Sequence, residues 1–189
     1  AATAKLITEP ERAPQINAAR QLLAASPDTF SALVANHRAQ SAIENDVLAP
    51  QSAIISAGLQ KMLAQAQTQG DMNAAFQISN GLKAFFECSS LVNGFLLTSD
   101  AQKAAAASAA LKVTVTQIQR MQKDQVEMEK LDATLKDDAK KTLLAALLTA
   151  TGTYGKGLDD VVAGKQARNQ ILAERIGKVA PEFTATLSR

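Results

Sequence analysis

The C-terminal stretch of the chain, residues 140–187, reads KKTLLAALLTATGTYGKGLDDVVAGKQARNQILAERIGKVAPEFTATL. Its larger apolar residues recur at the three- and four-residue spacing of a helix: Leu144, Leu147, Tyr154, Leu158, Val161, Leu172, Val179 and Phe183. This spacing places them on one stripe of an α-helix, and no proline interrupts the stretch before Pro181. We therefore predict one long helix from Lys140 to Leu187. Its apolar stripe needs a second long helix beside it.

The stretch from Gln51 to Thr98 is the other segment of comparable length. It contains Gly70-Asp71, but a single glycine inside a helix costs only about 1 kcal/mol, so we predict a continuous or bent helix. After this glycine the apolar seam follows a heptad pattern, which is typical of helices that pack at small crossing angles. The seam consists of Ile78, Leu82, Phe85, Ser89, Val92 and Leu96.

Shorter helices are predicted around these two. Thr3–Ala24 is a weak helix, because Pro10 and Pro14 each remove a backbone donor. Ser26-Pro27-Asp28 is a strong start signal for a helix from Pro27 to about Leu48, which should end at Ala49-Pro50. The remaining segments are an alanine-rich helix from Ala101 to about Gln122, and the charged stretch Lys123–Asp138, in which we expect a short helix and a corner near Lys136-Asp137-Asp138.

Composition favours an all-α fold, and the helical periodicity predicts an elongated up-and-down helical bundle with two long helices. Apolar residues make up 47% of the 189 residues and charged residues 20%, while the chain has six Phe, one Tyr and no Trp. With so few aromatic and β-branched residues in alternation, there is little material for a sheet. The net charge is +2, and no stripe of basic residues with interleaved aromatics is present. We therefore expect no nucleic-acid partner.

The sequence contains no recognisable catalytic or metal-binding pattern. Because His37 is the only histidine, a zinc site built on several histidines is excluded. Cys88 stands alone in an apolar neighbourhood, so we expect a small buried side chain rather than a reactive thiol. The three glycines at positions 152, 155 and 157 lack the strand-to-helix context of a phosphate-binding loop. We predict no catalytic residue, no metal and no cofactor.

Two sets of residues follow the motif order of a known family. The first, in the last helix, comprises Tyr154, Leu158, Val161-Val162, Arg168-Asn169, Ile171-Leu172 and Gly177. The second is Gly70-Asp71-Met72-Asn73-Ala74-Ala75, ahead of a long helix that ends with Asn93-Gly94-Phe95-Leu96-Leu97. In this order and spacing, the chain from about Pro27 onward resembles the helical bimodular sensor domain. That domain is the extracytoplasmic part of bacterial chemoreceptors and sensor histidine kinases.

The resemblance implies two stacked four-helix modules that share two long helices. The membrane-proximal module would comprise about residues 1–70 with 154–189, and the membrane-distal module about residues 71–153. It also implies a longer parent chain with membrane spans on both sides of a single periplasmic domain, a parallel homodimer, and a small organic ligand that is an acid or an aromatic compound. We expect the sensor domain of a histidine kinase. The alternatives are a chemotaxis receptor and, from another class, a structural helical-bundle adaptor without a ligand.

A first candidate binding site combines the helix that begins at Pro27 with the last helix. One face of the former carries Phe30, Leu33, His37, Ser41, Glu44 and Leu48, so we expect His37, Ser41 and Glu44 to point inward. Arg168 lies on or beside the stripe of the last helix, and its planar guanidinium suits a carboxylate. The alternative is that Arg168 pairs with Glu44 or lies at the rim of the bundle.

A second candidate site is a polar notch between Phe85 and Leu96. There Ser89 and Asn93, beside Cys88 and Ser90, interrupt the apolar seam, and a polar interruption of a bundle core is where a ligand can bind. Family members that bind organic acids often carry an arginine near this point, which is missing here. A neutral or aromatic ligand held by hydroxyl groups and Asn93 would fit. Alternatively, the small residues only permit close helix packing. Tyr154 completes the predicted ligand-binding set.

Overall fold

The computed structural model describes residues 26–173. Of these residues 95% are helical, and none of them forms a strand. The elements, in chain order, are α1 (Ser26–Ile43), a π-helical turn (Glu44–Leu48), α2 (Ala49–Thr68), α3 (Met72–Thr98), α4 (Ala101–Leu131), a short 3-10 turn (Ala133–Leu135) and α5 (Asp138–Ile171). The prediction of an all-α up-and-down bundle is confirmed. The predicted helix Thr3–Ala24 lies outside the described residues, as do Gly177, Val179 and Phe183.

The described residues fall into two compact units. One comprises Ala42–Val162, and the other combines residues 26–41 with residues 163–173. The predicted modules, residues 1–70 with 154–189 and residues 71–153, stay a prediction.

The unit Ala42–Val162 is a bundle of α2, α3, α4 and the first part of α5. Successive helices run antiparallel, because each is joined to the next by a short turn. Two contacts between α3 and α4 show this: Gly81, in the first half of α3, lies against Gln117, and Gly94, near its end, lies against Lys103. In the same way, Gly58 on α2 lies against Leu147 on α5.

The core of this bundle follows the predicted stripes. On α5, Leu144, Leu147, Tyr154, Leu158 and Val161 are all at most 2% exposed, as predicted, whereas Leu172 is 38% exposed. On α3, Ile78, Phe85 and Val92 of the predicted heptad seam are buried. Cys88 is also fully buried, so the expectation of a small apolar side chain is confirmed. Of the glycines at positions 152, 155 and 157, two are closely packed, since an added Cβ would lie 3.2 Å from Leu111 at Gly155 and 3.0 Å from Leu48 at Gly157.

The predicted continuous helix Gln51–Thr98 is wrong. Helix α2 ends at Thr68, and Gly70 adopts a φ of +72°, a left-handed conformation that glycine takes without steric cost. Asp71 then caps α3 by accepting a hydrogen bond from the Ala74 N–H at 2.9 Å. The glycine and the cap together turn the chain back, so that α2 and α3 form a hairpin.

The predicted helix end at Ala49-Pro50 is also wrong. The helical backbone continues from α1 into α2, and the Ala49 N–H donates to the Glu44 carbonyl, five residues back. This π-helical turn lies directly before Pro50, the residue that has no N–H to give to a normal α-helical bond. Among the described residues, the longest helical run is therefore residues 26–68, and the predicted run 51–98 is broken at residues 69–71.

The charged segment after Gln122 is resolved into two parts. Helix α4 extends to Leu131, beyond the predicted end at Gln122. Asp132 then accepts the Thr134 N–H at 2.8 Å, and Asp137 accepts the Lys140 N–H at 2.8 Å. These two caps form the corner that the sequence predicts near Lys136-Asp137-Asp138, and α5 begins there.

Candidate functional site

A cavity of about 480 Å³ opens between the start of α2, the end of α3 and the middle of α5. Its lining consists of Glu44, Leu48, Ala49, Ser52, Ala53, Ser56, Ser89, Val92, Asn93, Leu96 and Tyr154. We call this cavity the α2–α3 groove. It brings together three of the predicted ligand-binding residues, Ser89, Asn93 and Tyr154, which come from two different helices. Its volume lies in the usual range for small-molecule sites, about 300–1,000 Å³.

Tyr154 forms the inner wall of the groove. Its side chain is 2% exposed, and its ring packs edge to face on Phe85 with ring centroids 5.5 Å apart. Burial raises the pKa of the Tyr154 hydroxyl above its ordinary value of 10.0, and the nearby Cys88 raises it further, while a hydrogen bond with the Ser89 side chain acts in the opposite direction. The phenol is therefore neutral and held in a fixed position at neutral pH.

Hydroxyl groups of α2 face these residues from the other side. The Ser56 hydroxyl donates to the carbonyls of Ser52 at 2.8 Å and Ala53 at 3.2 Å on its own helix. Because its proton is used in this way, the Ser56 oxygen offers lone pairs, so it acts as an acceptor in the groove. Asn93, which is exposed on α3, adds an amide that both donates and accepts. Sequence reasoning missed Ser52 and Ser56, since a small polar residue on a helix gives no signal until its neighbour is known.

Glu44 contributes the one formal charge among the residues that line the groove. It lies in the π-helical turn, and its side chain is half-buried. Within the described part of the chain, its carboxylate forms no ion pair or hydrogen bond. The sequence places Glu44 on the inner face of the helix, and this placement agrees with its position in the groove.

The first candidate site is arranged differently from the prediction. His37 is exposed, Ser41 is half-buried and Phe30 is 69% exposed, so the predicted inward face is wrong for His37 and Phe30. Asn36 and Gln40 take the inner positions instead. The side-chain amide of Asn36 donates to the Gly164 carbonyl at 3.0 Å, and Gln40, which is 4% exposed, donates to the Asn36 side chain.

The error has a simple cause. Apolar residues are sparse in α1, and using Phe30 as the anchor of the face shifts the helical register by one residue. Arg168 lies on α5, half-buried, with its Nη2 donating to Asn169 Oδ1 at 3.4 Å. Its role as a carboxylate receptor stays a prediction.

A smaller cavity of about 190 Å³ lies at the opposite end of α3. Its polar lining is largely engaged in structural contacts. Asp71 caps α3, and the Gln77 side chain donates to Asp124 at 3.2 Å. The α2–α3 groove is therefore the better candidate site.

The described residues contain no group of three or more His, Cys, Asp or Glu side chains positioned to hold a metal ion. Between Ser26 and Ala173, no helix combines the length and the apolar character needed to cross a bilayer. Comparisons with models of known families, with curated proteins and with solved structures found no match for this chain.

Proposed function

We propose that this chain is the ligand-binding sensor domain of a transmembrane bacterial signal-transduction receptor, most simply a sensor histidine kinase. The α2–α3 groove would bind a small organic molecule. In this proposal the domain lies on the periplasmic side of the inner membrane and acts in a parallel homodimer. The parent chain would carry the signal to the cytoplasm.

The polar groups in the groove are the strongest support for the proposal. Hydroxyl and amide groups of Ser56, Ser89 and Asn93 converge on a groove whose remaining lining is mostly apolar, including Leu48, Val92 and Leu96. Ligand sites in helical bundles are built in this way, from side chains on facing helices. A bundle that serves only as a structural adaptor gains nothing from such a groove, because filling it with larger apolar side chains would increase stability.

The π-helical turn links ligand binding in the groove to a change in the helix that contains it. Glu44 and Leu48 line the groove and also form the two ends of the turn. π-Helical turns are uncommon and frequently occur at functional sites. A ligand that contacts this turn would favour one helix register over another, and a small shift of α1 would be the output.

A groove-filling variant tests the proposal. Ala53 is exposed, lines the groove and tolerates a larger side chain on the helix surface, so Ala53→Phe should occupy the site without disturbing the core. Ala64→Phe is the matched control, since Ala64 is exposed on the same face of α2, three turns further on and outside the groove. The wild type and both variants are screened by thermal shift against amino acids, amines, organic acids and aromatic compounds.

We expect at least one compound to stabilise the wild type. A ligand present at 100 times its Kd adds about 2.7 kcal/mol to the free energy of unfolding. The shift should disappear in Ala53→Phe and remain in Ala64→Phe. If a compound still stabilises Ala53→Phe, it does not bind in the groove. A screen without any hit would count against the sensor function.

A further inference from the structure

We infer that the ligand of the α2–α3 groove carries an ammonium group, which the Glu44 carboxylate binds. The inference rests on the proposed function and narrows its ligand class. It departs from the neutral or aromatic ligand that the sequence predicts for the notch at Ser89 and Asn93, because Glu44 brings a negative charge to the groove.

The charges of the lining exclude an acid as the preferred ligand. Among the eleven lining residues there is no Lys, Arg or His, and Glu44 is the one acidic side chain. A bound carboxylate would give up its hydration and meet a like charge with no cation to offset it. An ammonium group meets an opposite charge instead, and it donates a charge-assisted hydrogen bond to a carboxylate that has no other partner among the described residues.

The groove also offers hydrogen-bond acceptors, which suit a ligand that donates hydrogen bonds. An ammonium group has three N–H donors and no acceptor. Besides the Glu44 carboxylate, the groove offers the Ser56 oxygen, whose own proton already goes to the α2 backbone, and the side-chain carbonyl of Asn93. Leu48, Val92 and Leu96 supply an apolar surface for the rest of the molecule. The expected ligand is therefore a small amine with an apolar body.

A bare metal ion does not fit the same residues. Ca²⁺ needs six to eight oxygen ligands, usually with several carboxylates, and Mg²⁺ prefers a tight octahedral set. Glu44 is the one carboxylate at the groove, and no cluster of three or more acidic, His or Cys side chains occurs in the described part of the chain.

Two sets of matched probes test the ligand class. The aromatic set is tyramine, tyrosol and 3-(4-hydroxyphenyl)propanoate, which carry a positive, a neutral and a negative end on the same ring. The aliphatic set is pentylamine, 1-pentanol and pentanoate. Each compound is titrated into the protein at neutral pH and constant ionic strength, and binding is followed by backbone amide chemical shifts. We expect each amine to bind about tenfold more tightly than its alcohol, and each acid to bind most weakly.

The variant Glu44→Gln tests whether the charge of residue 44, and not its size, determines the preference for amines. This variant keeps the size of the side chain, and wild-type Glu44 has no ion pair in the described structure whose loss would unfold the protein. It should weaken amine binding about tenfold and leave alcohol binding within about twofold. Asp46→Asn is the control, because Asp46 is an exposed acid of the same turn that does not line the groove.

The outcomes distinguish this inference from the proposed function. An amine preference that persists in Glu44→Gln would overturn the inference, and so would amines that fail to bind. If neutral or acidic compounds bind without that preference and lose binding in Ala53→Phe, the groove remains a ligand site and the inference alone is wrong. If no compound binds in the groove, both are wrong.

Discussion

The rings of Phe85 and Tyr154 meet edge to face, with their centroids 5.5 Å apart and their planes at 68°. This contact joins α3 to α5 at the inner wall of the α2–α3 groove. Both side chains are at most 2% exposed. The same pair therefore belongs to the core of the bundle and holds the Tyr154 hydroxyl at the candidate site.

We predict that these two rings stabilise the fold cooperatively. Phe85→Leu and Tyr154→Leu should each lower the free energy of unfolding. The decrease in the double mutant should be smaller than the sum of the two single decreases. The expected coupling is about 0.5–1.5 kcal/mol, the typical value for an aromatic pair. Urea denaturation of the four proteins measures it. As a control, Asp71→Ala at the far end of α3 should add to Phe85→Leu within about 0.5 kcal/mol.

Two glycine substitutions should have opposite effects. Gly152 on α5 has no heavy atom within 4 Å of an added Cβ, so Gly152→Ala should stabilise the protein by about 0.5–1 kcal/mol through the helix preference of alanine. At Gly58 on α2 the added Cβ would lie 2.7 Å from Cδ2 of the fully buried Leu147. Overpacking there costs about 1–3 kcal/mol, so Gly58→Ala should be destabilising in urea denaturation. If both substitutions changed the free energy of unfolding in the same direction and by the same amount, the described packing of α2 on α5 would be contradicted.

The ion pair across the α4–α5 corner should make stability depend on pH. Lys141 Nζ lies 2.9 Å from Glu129 Oε2, and this contact lowers the pKa of Glu129 below its ordinary value of 4.5. A lowered pKa means that the pair stabilises the fold above pH 4.5. The stabilisation is lost as the pH falls through the pKa of Glu129 in the folded protein.

Glu129→Gln tests this dependence. The difference in unfolding free energy between the wild type and Glu129→Gln should be positive near neutral pH and shrink as the pH falls below 4.5. Glu87→Gln is the control, because Glu87 is an exposed acid without an ion pair in the described structure. A difference that does not change with pH would show that the contact has no energetic role in solution.

Cys88 should report on unfolding through its reactivity. Burial raises the pKa of its thiol from 9.0 to about 12, so very little thiolate is present at pH 8, and the sulfur is also shielded from solvent. We expect labelling by a thiol-specific disulfide reagent to be much slower in the native protein than in urea. In a Cys88→Ser background, Ser90→Cys places a thiol at an exposed position and should react rapidly. Equal native rates at the two positions would contradict the burial of Cys88.

Much of the fold follows from local periodicity. The buried residues of α5 and the heptad positions of α3 are visible in the sequence, since a helix must place its apolar residues on one side to bury them. The polar notch at Ser89 and Asn93 is visible for the same reason, because a hydroxyl and an amide interrupt an otherwise apolar seam. These features depend on residues within one helix.

The ends of the helices were harder to predict. The chain turns at Gly70-Asp71 and continues as a helix through Ala49-Pro50, opposite to both predictions. A glycine, a cap and a proline each change the free energy of a helix by about 1–3 kcal/mol, and tertiary packing is strong enough to override signals of this size. The exposed position of His37 has the same origin, since Asn36 and Gln40 take the inner face through their contacts near Gly164.

The candidate site shows where residue spacing stops being informative. Periodicity identified the α3 side of the groove, whereas Ser52 and Ser56 became part of it only because the turn at residues 69–71 lays α2 antiparallel to α3. That pairing brings residues about forty positions apart into one cavity, and it depends on the sum of many contacts between helices. The chain therefore encodes its helices and their apolar faces locally, while the groove and the unpaired charge of Glu44 arise from the packing of the helices against one another.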